Sequence, residues 1–265
     1  MASDKVTVRT FARLKGKRIA VLTAYDFYTA RFLDRAGVDA LLVGDSLNMV
    51  FYGQPTTLSA DMPLMMAHTR AVARGASHAL VVGDMPFLSY QTSEAEAIYN
   101  AGLFLKEAGA QAVKMEGGLE RADTIRKTVE AGIPVMGHIG LTPQSIHRFG
   151  GYQVQGKDQK QAAYLKESAA ALVEAGVFSM VLEAIPTDLA HEITESVSVP
   201  TIGIGAGPHT DGQVMVINDI AGLFDDFKPK FVRRYGDLGS ELTKIARAFV
   251  DDVRGGTFPG PDESY

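Results

Sequence analysis

The stretch "DALLVGD" at residues 39–45 ends an apolar run with a glycine and an aspartate, and "HALVVGD" at 78–84 repeats that ending. Both runs are almost continuously apolar, which is typical of strands that are covered on both faces in a parallel sheet. Further runs of the same character predict six more strands, at 18–24, 112–117, 133–141, 178–185, 200–207 and, less clearly, 212–219.

Amphipathic stretches with helical spacing separate these strands, and each ends in glycine, a common helix stop. They lie at 26–37, 93–109, 119–132 and 157–176. Eight strands that alternate with helices over about 250 residues predict a (β/α)8 barrel, with a doubly wound open sheet as the alternative. We expect a single domain over residues 1–265, with a short N-terminal extension and a C-terminal helical tail.

Composition narrows the class of protein. The chain has 265 residues, a formal net charge of −5 and no cysteine. The absence of cysteine excludes disulfides, thiol nucleophiles and thiolate metal sites. The acidic balance argues against a nucleic-acid partner, and no apolar run approaches the roughly 20 residues that span a bilayer. We therefore expect a cytoplasmic protein without a membrane partner.

Acidic side chains follow four of the predicted strands, at Asp45, Asp84, Glu116 and Glu183. Active sites of barrels lie at the carboxyl ends of the strands, so these side chains are expected around one rim. A single aspartate there would be explained by a turn or a helix cap. Four carboxylates raise each other's pKa when crowded, and a divalent cation with oxygen ligands compensates them. The pattern predicts a magnesium site rather than a zinc site.

Lys114 lies two residues before Glu116, so both side chains point to the same face of a strand. A lysine that points into a barrel needs anions, and it would either neutralise the acidic cluster, hold a substrate carboxylate or form a structural salt bridge. The long connection at 142–156 contains three glycines. It is interpreted as a lid over the site, with a simple surface excursion as the alternative.

Several stretches together resemble one family. They are "LTAYD" (22–26), "GVDALLVGDS" (37–46), "AVKMEGG" (112–118), "GHIGLTPQS" (137–145), "GGYQVQG" (150–156), "VLEAIP" (181–186) and "PTIGIGAG" (200–207). In this order and spacing the chain resembles the ketopantoate hydroxymethyltransferase family, within the phosphoenolpyruvate/pyruvate superfamily. The similarity covers nearly the whole chain.

The resemblance implies a (β/α)8 barrel that works as a large homo-oligomer, often a decamer. It implies the transfer of a one-carbon unit from 5,10-methylenetetrahydrofolate to 3-methyl-2-oxobutanoate, which gives 2-dehydropantoate in pantothenate biosynthesis. By motif, Asp45 and Asp84 would be magnesium ligands, and Glu116 would complete the metal site either directly or through water. Ser46 and Lys114 would hold the keto acid together with the two aspartates, and Glu183 would be the proton acceptor.

The implied reaction requires the same types of residue, metal-binding carboxylates and a carboxylate base. The hydrogen at C3 of the keto acid is too weakly acidic for a free carboxylate, and one magnesium ion per subunit would stabilise the enolate that forms. Apolar neighbours on both sides of Glu183 favour a desolvated base. His138, at another strand end, is interpreted either as a substrate contact or as a structural histidine.

Two alternative functions remain open, and the chain differs from the family pattern at some positions. A related superfamily carbon–carbon lyase or phosphomutase would use the same metal-enolate chemistry, and a catalytically silent barrel would be expected to lose one of the acidic strand ends. The chain departs from the family pattern at Asn48, where glycine is usual, and at Gly83, where alanine is more common.

Overall fold

The computed structural model describes residues 5–224 and 229–265, and its eight parallel strands form a closed barrel. Strands that are consecutive in sequence are neighbours in the barrel, and Val21 of the first strand pairs with Val214 of the last to close it. The predicted (β/α)8 fold is confirmed, and the open-sheet alternative is wrong. The strands are β1 (Ile19–Thr23), β2 (Ala40–Val43), β3 (Leu80–Asp84), β4 (Ala112–Glu116), β5 (Val135–Gly140), β6 (Ser179–Glu183), β7 (Thr201–Ile204) and β8 (Gly212–Met215).

Helices connect the strands, and the four that the sequence predicted are present with slightly shorter bounds. Short 3-10 turns cover Leu119–Arg121, Pro143–Ser145 and Pro261–Glu263. The α-helices are α1 (Val8–Ala12), α2 (Phe27–Arg35), α3 (Leu47–Val50), α4 (Met62–Gly75), α5 (Glu94–Lys106), α6 (Ala122–Glu130), α7 (Ile146–Phe149), α8 (Gln159–Glu174), α9 (Thr187–Ser196), α10 (Ile217–Ala221) and α11 (Leu238–Gly255). The eighth strand is shorter than predicted, because α10 begins two residues after it ends.

The interior of the barrel is filled by alternate residues of each strand, since successive side chains of a strand point to opposite faces. Leu80 and Val82 of β3 belong to this core, and so do Ala112 of β4 and Met136 of β5. The next inward positions toward the carboxyl ends are polar or charged on all three strands. The core is therefore apolar at its base and polar at its mouth.

Helix α1 packs against the buried core. The ring of its Phe11 is fully buried and meets the ring of Phe178, just before β6, edge-on at 5.8 Å between centroids. The side chain of Thr7 accepts a hydrogen bond from the backbone N–H of Thr10 and caps this helix. Helix α1 therefore covers the apolar end of the barrel core, and the polar mouth lies at the opposite end, where the strands finish.

The chain forms two compact units, Met1–Val216 with the barrel and Ile217–Tyr265 with α10 and α11. The organisation predicted for residues 1–265, one domain with an extension and a tail, stays a prediction. Residues 1–4 of that extension and residues 225–228 lie outside the described part of the chain. Among the helices that are described, none has the length and apolar character needed to cross a membrane.

Candidate active site

The acidic residues predicted from the strand ends come together at the mouth of the barrel. Asp84, Glu116 and Glu183 are the last residues of β3, β4 and β6, and Asp45 follows β2 by two positions. The side chains of Asp45, Asp84 and Glu116 are almost fully buried, whereas that of Glu183 is 17% exposed. Asp45 and Asp84 are neighbours, because the backbone N–H of Asp45 donates to Asp84 Oδ2 at 3.1 Å and the charge of Asp84 acts on the Asp45 carboxylate.

A glycine makes the turn after β2 possible. A Cβ atom at Gly44 would lie 2.9 Å from Ser46 Oγ, so only glycine leaves room for that hydroxyl beside the backbone. Ser46 Oγ lies 2.9 Å from the hydroxyl of Tyr25, in the loop after β1. The sequence "GDS" thus turns the chain so that Asp45 is buried and the Ser46 hydroxyl stays partly accessible at the mouth.

Lys114 neutralises part of the acidic cluster. Register pairs it with Asp84 on the adjacent strand, and its Nζ lies 2.7 Å from Asp84 Oδ1 and 3.6 Å from Glu116 Oε1. Burial lowers the pKa of Lys114, but Asp84, Glu116 and Asp45 outweigh burial and raise its pKa well above the ordinary value. Lys114 is therefore a charged lysine inside the barrel, as its two-residue spacing from Glu116 predicted.

His138 joins the two sides of the cluster. It pairs in register with Glu116, and its Nδ1 lies 3.2 Å from Lys114 Nζ and 3.6 Å from Glu116 Oε1. Its Nε2 lies 3.2 Å from Glu183 Oε2. Burial and the charge of Lys114 lower the pKa of His138, but its contacts with Glu116 and Glu183 prevail and raise that pKa to about 9. The contact with Glu183 was not predicted from the sequence.

The three buried carboxylates differ in their affinity for a proton. Burial raises the pKa of Asp45 well above its ordinary value, and the negative charges of Asp84 and Glu116 add to the shift. Burial likewise raises the pKa of Asp84, although Lys114 opposes the change. At Glu116 burial is outweighed by Lys114 and His138, which lower its pKa. Asp45 is therefore the carboxylate whose charge is least compensated by the chain itself.

An unfilled acceptor and two further carboxylates make the cluster suitable for a hard cation. Glu116 Oε1 is buried and accepts no hydrogen bond, and its nearest cationic nitrogen, Lys114 Nζ, lies 3.6 Å away. Asp84 Oδ1 is already paired with Lys114 Nζ at 2.7 Å. Oxygen donors of this kind are the ligands that magnesium prefers. Over residues 5–224 and 229–265 there is no ready-made group of three histidine or acidic side chains spaced to hold a metal ion. The magnesium site of Asp45, Asp84 and Glu116 therefore stays a prediction.

The backbone beside Glu183 is held in an unusual conformation. Ala184 has φ 46°, in the left-handed region that residues with a Cβ atom seldom adopt. Its N–H donates to Ile204 O at 2.8 Å and its carbonyl accepts from the N–H of Gln155 at 2.9 Å. Glycine at position 140 allows the ends of β5 and β6 to approach closely, because a Cβ atom there would overlap the backbone of Glu183. These contacts fix the direction in which Glu183 leaves β6.

Two residues that the sequence did not indicate form hydrogen bonds with the acidic cluster. The buried side chain of Gln144 donates from Nε2 to Asp45 Oδ2 at 3.0 Å. The hydroxyl of Tyr90 donates to Gln144 Oε1 at 2.7 Å and accepts from the N–H of Glu116 at 3.1 Å. Neither an amide nor a phenol carries a catalytic signature in sequence. The only sequence signal for Gln144 was its place in the motif "GLTPQS".

The connection at 142–156 reaches across the mouth. It contains a 3-10 turn and α7, and the hydroxyl of Tyr152 donates to the sulfur of Met49 in α3 at 3.3 Å. Burial raises the pKa of Tyr152, and the charges of Asp45, Glu183 and Glu116 raise it further, so its ring lies near the cluster. The function of this segment as a lid stays a prediction.

A separate cavity of about 470 Å³ lies beside the ends of β4 and β5. Gly117, Gly140, Thr142 and Arg148 line it, together with Tyr164 of α8. Its lining includes none of the charged residues of the cluster. The cavity is therefore a different space from the mouth of the barrel.

Comparison with known proteins gives a consistent result. Residues 5–261 match the family model described as ketopantoate hydroxymethyltransferase. The 3-methyl-2-oxobutanoate hydroxymethyltransferase of Syntrophobacter fumaroxidans is 56% identical over 263 residues, which cover 99% of this chain and 93% of that protein. The enzyme of the same name from Clostridium botulinum is 54% identical over 261 residues, which cover 98% of this chain and 95% of that protein.

Solved structures share the fold at much lower identity. A putative phosphonomutase from Burkholderia cenocepacia superposes with a TM-score of 0.64 at 15% identity and covers 93% of this chain and 99% of its own. A 2,3-dimethylmalate lyase of the PEP mutase/isocitrate lyase superfamily gives a TM-score of 0.61 at 17% identity, with 96% and 90% covered. At such identities the likeness concerns the barrel alone.

Proposed function

This chain belongs to the ketopantoate hydroxymethyltransferase family, and we propose that it transfers a hydroxymethyl group to 3-methyl-2-oxobutanoate to form 2-dehydropantoate. It is a transferase by that membership. The observation that carries the proposal is the convergence of four acidic side chains around Lys114 and His138 at the barrel mouth, in a chain more than half identical to named relatives.

We also propose the finer details of the reaction. The one-carbon donor would be 5,10-methylenetetrahydrofolate, as the family resemblance implies, and one magnesium ion would be held by Asp45, Asp84 and Glu116. The buried Glu116 Oε1, which accepts no hydrogen bond, supports that ligand set. When bound, magnesium would supply a Lewis acid that polarises the keto oxygen.

The chain's own residues would bind and orient the keto acid. Lys114 is held charged by its carboxylate neighbours, so it offsets the negative charge of the substrate at the mouth. The Ser46 hydroxyl, positioned beside Tyr25, would donate to the substrate from the opposite side. Binding at two fixed points restricts the keto acid to one orientation, with its C3 carbon toward β6.

Glu183 would accept the proton from C3. It is the most accessible of the four acidic residues, and the base must come within about 3 Å of the hydrogen that it removes. His138 Nε2 lies 3.2 Å from Glu183 Oε2, so the imidazole positions this carboxylate at the mouth. The left-handed Ala184 and its two backbone hydrogen bonds fix the main chain from which the Glu183 side chain extends.

The alternative reactions are less well supported. Relatives named as hydroxymethyltransferases are 50–56% identical, whereas a lyase and a phosphonomutase that share the barrel are 15–17% identical. A catalytically silent barrel would be expected to lose an acidic strand end, and all four are present.

We further propose that the chain acts in the cytoplasm as a homo-oligomer, often a decamer in the family.

Exchange of the C3 proton tests the proposal. NMR in heavy water, without folate, would follow loss of the C3 signal of 3-methyl-2-oxobutanoate with and without magnesium. We expect magnesium-dependent exchange by the unaltered chain and a loss of about 100-fold or more in Glu183→Gln, because a positioned base contributes that much. Glu192→Gln, on the exposed surface of α9, is the matched control and should exchange normally.

Two outcomes would count against these assignments. Robust exchange in Glu183→Gln would remove Glu183 from the role of base. Asp84→Asn should weaken the response to magnesium and to the keto acid together, so an unchanged magnesium dependence would remove Asp84 from the metal site.

A further inference from the structure

Gln144 uses its whole amide group in contacts around the acidic cluster. Its Nε2 donates to Asp45 Oδ2 at 3.0 Å and to Met85 O at 2.9 Å. Its Oε1 accepts from the hydroxyl of Tyr90 at 2.7 Å and from Nε2 of Gln91 at 3.0 Å. The side chain lies in the 3-10 turn that follows β5, and the residue is only 5% exposed.

The orientation of this amide is fixed by its surroundings. A backbone carbonyl and a carboxylate can only accept hydrogen bonds, so the nitrogen must face Met85 and Asp45. The opposite oxygen then meets the two groups that can donate, the phenol of Tyr90 and the amide of Gln91. Rotation of the amide by 180° would place its oxygen against Met85 O and Asp45 Oδ2, which can only accept, so a single orientation supplies Asp45 with a donor.

The same residue contacts a second carboxylate through its backbone. The N–H of Gln144 donates to Glu116 Oε2 at 3.0 Å. Two of the three predicted metal ligands, from β4 and the turn after β2, therefore depend on one residue of the β5 connection. A side-chain substitution removes the contact with Asp45 and leaves the backbone donor to Glu116, so the two effects are separable.

We propose that Gln144 is a positioning residue that orients the Asp45 carboxylate for cation binding, an inference that rests on the proposed function. Among the three predicted metal ligands, Asp45 is the one that forms no ion pair with Lys114, whose ion pairs are to Asp84 and Glu116. The Gln144 amide holds Oδ2 of Asp45 in place, and this contact fixes the orientation of the whole carboxylate. Partners that orient metal-binding carboxylates in this way tune affinity without touching the ion.

Binding of Mn²⁺ to the metal-free protein tests the proposal directly, with electron paramagnetic resonance of the free ion as the readout. Gln144→Met keeps the length of the side chain and removes its polar groups. We expect its affinity for Mn²⁺ to fall by about 10- to 100-fold, the usual effect of losing such a partner. Gln153→Met, the same change at an exposed position of the same connection, should stay within about twofold of the unaltered chain.

C3 exchange then separates positioning from a general loss of structure. In Gln144→Met the exchange rate should recover as magnesium is raised to saturation, because mass action compensates a weaker site. If Gln144→Met does not fold, as judged by circular dichroism, Tyr90→Phe removes the phenol that orients the amide and should weaken Mn²⁺ binding in the same direction.

Unchanged Mn²⁺ affinity in the folded variants would overturn the proposal, and so would a loss of exchange that magnesium does not restore. Failure of the proposed function looks different. In that case the unaltered chain itself would show no magnesium-dependent exchange, whatever residue occupies position 144.

Discussion

At the scale of single residues, the mouth of the barrel contains more acidic than basic side chains. Lys114 and His138 form close ion pairs with Asp84, Glu116 and Glu183, whereas Asp45 is held by a neutral amide. Each cation offsets the charge of at most one carboxylate, so two cations among four acids leave the cluster short of positive charge. This shortage is the physical reason to expect an external cation there.

The charge of His138 makes a testable contribution to stability. Its pKa of about 9 in the folded chain is above the ordinary value, so its contribution is fully present below about pH 6.5. That contribution is lost as the pH rises through 9. We expect the difference in unfolding free energy between the unaltered chain and His138→Gln to shrink by up to about 3 kcal/mol from pH 6.5 to 9. Urea unfolding in the presence of EDTA measures it.

The groups that face His138 are Lys114, Glu116 and Glu183, and each is present in both proteins. Their own titration therefore largely cancels from the comparison. A difference that is independent of pH across this range would contradict the assignment of a charged His138.

At the scale of elements, strands were easier to predict than helices. Each strand carries a short, nearly continuous apolar run, whereas α4 and α9 were missed. Each of these two helices buries a threonine on its inner face, Thr69 in the middle of α4 and Thr194 near the end of α9. The threonine hydroxyls donate to the carbonyls four residues earlier, Met65 O and Ala190 O, so burial is satisfied although the apolar stripe is interrupted.

The site was predictable in part for a related reason. Ionisable residues at strand ends can be read from sequence, because strand periodicity fixes where they point. Gln144 and Tyr90 are placed by loops, and loop conformation depends on tertiary contacts that no local pattern records. Asn48 shows the same limit. Its buried amide donates to Thr56 O and Ser59 Oγ, which organises the connection after β2 in a way that glycine could not.

Helix α5 explains the second departure from the family pattern. Phe104 of α5 packs directly on Gly83 of β3, and a Cβ atom at position 83 would overlap its ring. An alanine at position 83 of this chain would therefore force the Phe104 ring to move. Gly83→Ala should destabilise the chain by about 1–3 kcal/mol through overpacking, measured as the shift in urea unfolding.

A second substitution provides the control for this packing. Gly83→Ala combined with Phe104→Leu should be less destabilising than the sum of the two single changes, because the residues are in direct contact. Gly132→Ala does not test overpacking, since nothing lies near its Cβ position and its φ of 87° introduces strain instead. Additive effects of the Gly83 and Phe104 changes would show that their contact is not the cause.

At the scale of the whole molecule, the two compact units differ in what they bury. The first unit encloses the barrel core, whereas no residue of α11 in the second is buried. The apolar residues of α11 recur with helical spacing along one side, at Leu238, Leu242, Ile245, Phe249 and Val253. Exposed apolar surface of this kind marks an interface, which supports the proposal of a homo-oligomer.

Charges on that face should therefore disrupt assembly. Ile245 and Phe249 are 66% and 55% exposed, and burial of two such side chains contributes about 1.5–3 kcal/mol each. We expect the Ile245→Asp/Phe249→Asp variant to sediment as a smaller species than the unaltered chain in analytical ultracentrifugation. Arg247→Asp, on the opposite side of α11, adds charge without touching the apolar stripe and should sediment normally. If both variants sediment like the unaltered chain, this face of α11 does not hold subunits together.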